Sequence, residues 1–294
     1  MRSIPIPLAR GATLLFAVSL LLPSGCARLR RGEDLARWLP SPPRHDRLWR
    51  IEQSVMPYAE LDEATVRIRN VRQCRWESDT EKTIRHTDWE VAWDDVQGID
   101  IIVVPFQNLP MLAHTMLSFR LSDGRALVLS VEARLEQGEV YSPVAGAAGQ
   151  FELIYVLGDE EDLLGLRAVA RRDDVYLYPS RATAEEARTL LRDVLQRVNR
   201  LQAEPEWYDS LTNNCATNLL DHLSAVLDFD PQVAFSQRIP GQSSDRWVYD
   251  MGLIDTDLPF ALAREQAWVS GRIRQHIGAP NFSRLIRTKP GTVE

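Results

Sequence analysis

Cys215 lies in the run Asn213-Asn214-Cys215-Ala216-Thr217-Asn218-Leu219-Leu220. Apolar residues then recur at Ala216, Leu219, Leu220 and Leu223, the spacing of a helix that runs from about Asn213 to Leu227. Thr212 or Asn213 would be its N-cap, which puts Cys215 in the first turn. The positive end of a helix dipole favours a thiolate, so the position predicts a lowered thiol pKa. A thiolate beside a base is an acyl-transfer nucleophile. Two plainer readings stand beside this one: a buried structural cysteine, or a disulfide with Cys74 in an oxidising compartment.

Five histidines could supply the base. His45 falls in an Arg- and Pro-rich stretch, and His86 and His276 have no patterned partner. His222 follows Cys215 by seven residues, about 10 Å along one helix, too far for direct contact. His114 is different, because its strand can be placed. Ser122-Asp123-Gly124 separates two alternating strands, and a three-residue loop ending on Gly is a common hairpin connection. That loop sets Leu121 opposite Arg125, Phe119 opposite Leu127, Leu117 opposite Leu129 and Thr115 opposite Val131, so apolar residues meet on one face. On the other face, His114 lies across from Glu132, with Cβ atoms about 5 Å apart. A carboxylate there can hold the imidazole in one tautomer and stabilise its protonated form. The plainer reading is a half-exposed His–Glu pair without chemical use.

The elements that would carry these residues are legible as well. Strands are expected over Thr65–Val71, Ile99–Phe106, His114–Leu121, Leu127–Arg134, Phe151–Leu157 and Val175–Tyr178. A helix is expected over Thr183–Leu201, opened by a capping box of Thr183 with Glu186. Strands first and helices after them indicate an α+β domain.

Lys plus Arg is 34 and Asp plus Glu is 41, a net charge of −7, which argues against nucleic acid as the main partner. CxxC, HExxH, GxxxxGK[ST] and GxGxxG are all missing from the sequence, so metal-protease, P-loop and dinucleotide chemistry have no motif to rest on. No metal or cofactor is expected, since the chemistry would be covalent. Arg2 and Arg10 precede an apolar run of twelve residues, Gly11 to Leu22. A spanning helix needs about 20 such residues, so the run reads as a signal-peptide core. Leu22-Pro23-Ser24-Gly25-Cys26 then resembles a lipobox, with Pro23 where Leu is usual, and predicts lipidation of Cys26. An ordinary secretory signal cut near Gly25 is the alternative. Arg28 to Arg47 reads as a tether, and the chain from about Ala279 as loose.

Four segments together carry a family resemblance: Ala113–Phe119 with His114, Ser130-Val131-Glu132-Ala133-Arg134, Glu152–Gly158, and Tyr208–Thr217 with Asn213-Asn214-Cys215. Ile239-Pro240-Gly241 with Asp245–Gly252 extends it, and the match spans about Val66 to Leu253. In this order they resemble the Lnb N-terminal periplasmic domain family, with Ala216 standing where that family more often has Thr. The resemblance implies a circularly permuted papain-like fold, of the NlpC or lecithin-retinol acyltransferase-like kind, with an antiparallel sheet and the His strand before the Cys helix. It implies Cys215 as nucleophile, His114 as base and then acid, and Glu132 as its orienter. The Cys215 amide, with the Asn214 side chain, would bind the oxyanion, and Tyr208 would line the pocket. The founding member of the family is a membrane acyltransferase acting on lipoproteins, but it carries transmembrane helices that this chain lacks after residue 22.

The domain layout expected is a lipoprotein signal peptide over 1–26 and a tether with an N-terminal extension over 27–60. The Lnb-like domain would occupy 61–260 and a C-terminal extension 261–294. The chain is expected in the cell envelope, lipid-anchored and facing the periplasm, with thiol-dependent acyl transfer or hydrolysis on lipid or lipoprotein substrates. A cell-wall amidase or peptidase, and a scaffold lipoprotein without activity, are the alternatives; a long apolar groove would favour lipid and a polar one wall material.

Overall fold

The computed structural model describes residues 42–226 and 242–288. The signal segment and Cys26 lie outside the described residues.

From Pro43 onward the chain builds one sheet with helices on both faces. Its strands are β1 (Tyr58–Leu61), β2 (Thr65–Arg72), β5 (His86–Ala92), β6 (Val96–Phe106), β7 (Leu109–Leu121), β8 (Ala126–Arg134), β9 (Glu152–Asp159) and β10 (Tyr176–Pro179). The short pair β3 (Arg75–Trp76) and β4 (Lys82–Thr83) stands apart. The order is β1-β2-β9-β8-β7-β6-β10, with β5 also on β2. The expected strands are all present. The sheet, however, is mixed rather than antiparallel, because β2 meets β9 in parallel at Arg72 and Gly158. The register of β2 on β5 shifts between Ile68 and Val71, where Asn70 takes a left-handed φ of 61°. Asn accepts that conformation more readily than most residues.

Alternation along each strand feeds two cores. Ile101, Val103, Leu117, Phe119, Leu127 and Leu129 pack toward α3 (Ala184–Ala203) and α4 (Cys215–Ser224). The intervening Ile102, Val104, Met116 and Val128 pack toward α2 (Glu160–Gly165) and α7 (Ser270–His276). A short α1 (Pro143–Ala147) precedes β9, and α5 (Ser244–Asp250), α6 (Phe260–Ala267) and α8 (Phe282–Leu285) complete the set described. Helix α3 opens with the expected Thr183–Glu186 capping box.

Both ends of the domain are more firmly held than their composition suggests. His45 Nε2 lies 3.1 Å from the Leu201 carbonyl, Arg47 pairs with Glu152 at 2.6 Å, and Arg134 stacks on Trp49 at 4.1 Å. The stretch from Arg44 is therefore docked on the domain rather than free. Near the other end, Phe282 and Ile286 are buried and Arg287 bridges Asp100 at 2.6 Å and Glu160 at 2.8 Å. The chain from Ala279 to Thr288 is part of the second core, not the loose tail expected. Apolar residues four apart on a short helix supply the burial, and two buried carboxylates supply the charge that Arg287 needs.

Candidate functional site

The β7–β8 hairpin has the register deduced from its loop. Leu121 N–H donates to the Arg125 carbonyl at 2.9 Å, Gly124 has φ 86°, and Leu117 pairs with Leu129 and Phe119 with Leu127. The two strands then part: their described pairing ends at Leu117 and Leu129, while β7 continues along β6 as far as Leu109. Like Leu121, the odd-numbered residues of β7 point their amides toward β8. The Thr115 amide thus opens into the gap, where it favours the charged form of Cys215.

His114 stands on the other wall of that gap, with Ser130 and Glu132. Its Nε2 is 2.8 Å from Ser130 Oγ, and Ser130 Oγ donates to Glu132 Oε1 at 2.8 Å. A hydroxyl has one proton. Ser130 gives that proton to Glu132, so its oxygen accepts from His114 Nε2–H. The proton therefore resides on Nε2, and Nδ1, which has no hydrogen-bond partner among the described residues, carries the free lone pair. His114 and Glu132 face each other as the register requires, yet their nearest atoms are 4.0 Å apart, and the serine closes the distance.

Glu132 has a second partner that the sequence reading missed. Arg167 donates to its Oε1 at 3.1 Å from a π-helical turn, Leu166–Ala170, that continues α2. Burial opposes ionisation of Glu132, but Arg167 and then Arg72 hold its carboxyl down to about 2. Burial, and after it Arg167, pushes the His114 imidazole down to about 3, with Glu132 acting against them. The His114 imidazole is thus neutral at rest.

Cys215 begins α4, with Asn214 rather than Thr212 or Asn213 as N-cap. Asn214 Oδ1 accepts from the Ala216 and Thr217 amides, and Thr217 Oγ1 accepts from the Asn214 amide. Its Nδ2 donates to the Asp209 and Ser210 carbonyls. The side-chain amide is therefore consumed by the cap. The Cys215 backbone amide is not part of that cap and stays close to the sulfur. The thiol pKa is shifted in the opposite direction from that expected. Burial raises it, and the donors from Thr115, Ala216 and Cys215 itself, with Arg167, only partly offset this. A helix N-terminus stabilises an anion, but it does not replace lost hydration in full. The resting pair is a neutral thiol and a neutral imidazole, with no hydrogen bond between them.

Cys215, His114, Glu132 and Tyr208 all line one cavity of about 720 Å³. Tyr208 is buried, its hydroxyl 3.3 Å from that of Tyr141, and burial raises its pKa. The walls are strongly charged. Arg72 is held by Asp162, Lys82 by Glu52 and Arg171 by Asp79, while Arg50 reaches the Glu139 carbonyl. Phe106, Ile51 and Tyr141 add apolar surface.

Cys74 is not part of this cavity. It is a free, fully buried thiol whose pKa is pushed up to about 12 by burial and then by Asp162. His222 belongs to another network. Tyr155 Oη donates to Asn218 Oδ1 at 2.8 Å and sits 2.9 Å from His222 Nε2, while His222 Nδ1 lies 2.6 Å from Asp193. Asn218 Nδ2 in turn donates to Asn213 Oδ1 at 2.8 Å and to the Asn214 carbonyl at 2.9 Å. This histidine braces the first turn of α4 and does not reach the sulfur. Among the described residues, no cluster of three His, Cys, Asp or Glu side chains is arranged to hold a metal ion. No described helix is long and apolar enough to cross a membrane.

The sequence model of the Lnb N-terminal periplasmic domain matches residues 85–245, which include His114, Ser130, Glu132, Arg167, Tyr208 and Cys215. That is more than half of the chain, and the chain belongs to this family. No curated protein matches it. No solved structure matches it.

Proposed function

We propose that this member of the Lnb N-terminal periplasmic domain family is a thiol-dependent acyltransferase or hydrolase of the cell envelope. The observation that carries the reading is the ordered run from Glu132 through Ser130 to His114, which leaves Nδ1 as the unprotonated nitrogen of a residue that lines the same cavity as Cys215. In this mechanism Nδ1 takes the thiol proton as sulfur attacks the substrate carbonyl, so that thiolate and imidazolium form only during reaction. The bond to the leaving group then breaks, and His114 returns the proton to it. Water or an amine repeats the cycle on the acyl-thioester. Ser130 and Glu132 stabilise the imidazolium. The Cys215 backbone amide stabilises the oxyanion, without help from the Asn214 side chain. The order of His strand before Cys helix supports a circularly permuted papain-like core.

The location proposed is the periplasmic side of the envelope, with an N-terminal lipid on Cys26. The charged cavity wall supports a polar acyl substrate, such as a peptide amide, inside the cavity. Exposed Phe106, Leu109 and Leu112 on the β6–β7 hairpin support a second reading, a substrate presented from a membrane surface.

The test incubates the purified protein, and its Cys215→Ala variant, with wall-peptide fragments and with a diacylated lipopeptide. Mass spectrometry should find a hydrolysed or acyl-shifted product from one class only when Cys215 is present. Identical product patterns from both proteins would refute the enzyme reading.

A further inference from the structure

Two guanidiniums are buried in the cavity wall, and the fold satisfies only one of them. Every nitrogen of the Arg72 guanidinium has a partner: Nε and Nη2 reach Asp162 at 2.7 and 3.1 Å, and Nη1 reaches the Glu52 carbonyl at 3.1 Å. The Arg167 side chain is 9% exposed, yet among the described residues its one hydrogen bond is the 3.1 Å contact with Glu132. Its Nε is buried with no hydrogen-bond partner among the described residues. A guanidinium carries five N–H donors in a planar fork, a geometry that matches two oxygens of one anion. Glu132 offers Arg167 a single oxygen, and that oxygen is shared with Ser130.

The neighbouring charge does not make up the deficit. Arg171 lines the same wall, and its partner Asp79 is 58% exposed. Arg171 and Arg72 act on Arg167 as unfavourable like charges, while Asp173 acts favourably without a hydrogen bond to the guanidinium. Arg72, Lys82, Arg167 and Arg171 each have a carboxylate partner, but the Arg167 fork keeps N–H groups without acceptors among the described residues, beside a cavity large enough for a ligand.

We propose that Arg167 and Arg171 form a subsite for a carboxylate or phosphate group carried by the substrate, a reading that rests on Cys215 being the nucleophile of the same cavity. The anion bridges the Arg167 fork and Arg171 on the side away from Glu132. It sets the distance from charged group to scissile carbonyl, and so selects substrates. It also offsets the two guanidiniums that act against protonation of His114, so an anionic substrate makes its own base stronger on binding. A peptide carboxylate and a lipid headgroup phosphate present the same chemistry here.

Iodoacetate and iodoacetamide test the subsite, since both alkylate thiolates and differ in one negative charge. In the full-length protein, Cys215 should prefer iodoacetate over iodoacetamide by about tenfold relative to free cysteine, with saturation in iodoacetate. Arg167→Gln should return that ratio to the free-cysteine value, whatever it does to the absolute rates, and Arg171→Gln, at a half-exposed site, should lower it. Sodium propionate and inorganic phosphate, added separately at constant ionic strength, should protect against iodoacetate. Protection by propionate points to a peptide carboxylate and protection by phosphate to a headgroup. A ratio equal to that of free cysteine, or one that Arg167→Gln leaves intact, would overturn the subsite. If neither reagent labels Cys215, the nucleophile reading fails by itself. The subsite is then decided by the ring resonances of His114: a saturable shift with either anion, lost in Arg167→Gln, upholds it, and no shift overturns it.

Discussion

His114 and Glu132 face each other across two strands but do not touch: 4.0 Å separates Nε2 from Oε1, and the Ser130 hydroxyl lies 2.8 Å from each. This relay fixes which ring nitrogen is left unprotonated and so would serve as the proposed base, and Ser130→Ala tests it. The serine is fully buried, so the variant leaves a buried N–H unmade, at a cost of about 1–3 kcal/mol. Acyl transfer should fall by roughly 10- to 100-fold, with the fold intact by circular dichroism. Ser130→Thr, which restores a hydroxyl, should recover part of the rate. Unchanged turnover in Ser130→Ala would mean that the imidazole is oriented by something else.

The pH dependence follows from the low basicity of His114. Its folded pKa of about 3 lies below the ordinary 6.5, so between those values the unfolded chain binds more protons. The stability that His114 contributes is therefore present above pH 6.5 and lost as pH falls toward 3. Glu132, lowered from 4.5 to about 2, adds a loss of the same sign below pH 4.5. Urea unfolding at pH 7, 5 and 4 should show a decline of a few kcal/mol, shallower in His114→Gln. A flat profile would contradict the buried neutral imidazole.

Asn214 caps the helix through Oδ1 and spends Nδ2 on the Asp209 and Ser210 carbonyls. Asn214→Ser keeps an N-cap acceptor and loses the Nδ2 donors to Asp209 and Ser210. Stability should fall by about 1 kcal/mol, with turnover within about tenfold of wild type. A loss of about a hundredfold at unchanged melting temperature would return the oxyanion role to this side chain.

Cys74 and Cys215 should differ in reactivity although neither thiol is acidic. Cys74 is sealed at 0% exposure with its pKa near 12, whereas Cys215 is partly exposed. Peptide mapping after brief iodoacetamide treatment should find Cys215 modified and Cys74 modified only in urea. The Cys215 rate should climb through the alkaline range above about pH 8.5, without an acid plateau from a preformed ion pair. A plateau at pH 5–7 would show that thiolate and imidazolium pre-exist.

The lipid anchor is a separate question, since Cys26 is outside the described residues. Cys26→Ser should move the protein from the membrane to the soluble fraction, or leave it with its signal peptide uncut. Wild-type protein of unmodified mass in the soluble periplasm would show that Pro23 defeats lipidation.

Much of the site was legible because one hairpin fixes it. Ser122-Asp123-Gly124 sets the pairing of Leu117 with Leu129, and that pairing sets His114 toward Glu132. Register fixes which residues share a face, but not how far each side chain reaches. Ser130 stood on the same face, two residues from Glu132, and its role appears only once both hydrogen bonds are measured. Arg167 was out of reach of such reasoning, because a π turn carries no periodic apolar signal and its partner lies 35 residues away. Cys215 does lie in the first turn, but the N-cap is Asn214, one or two residues later than the spacing indicates, and the sign of the Cys215 shift is the reverse of that expected: the dipole is local to the sequence, whereas burial is a property of the assembled cavity. β5 and the burial of Phe282 and Ile286 left signals that were overlooked, in the alternation at Trp89 and Val91 and in the four-residue spacing at the other end.

The most direct measurement of the central claim is the pre-steady-state reaction with p-nitrophenyl acetate. Wild type should release a burst of one nitrophenolate per chain, with the acetyl group mapped to Cys215. His114→Gln should slow the burst by about 100-fold or more, and Cys215→Ala should abolish it. A wild-type protein that gives no burst, or a His114→Gln variant that bursts at the wild-type rate, would contradict the account.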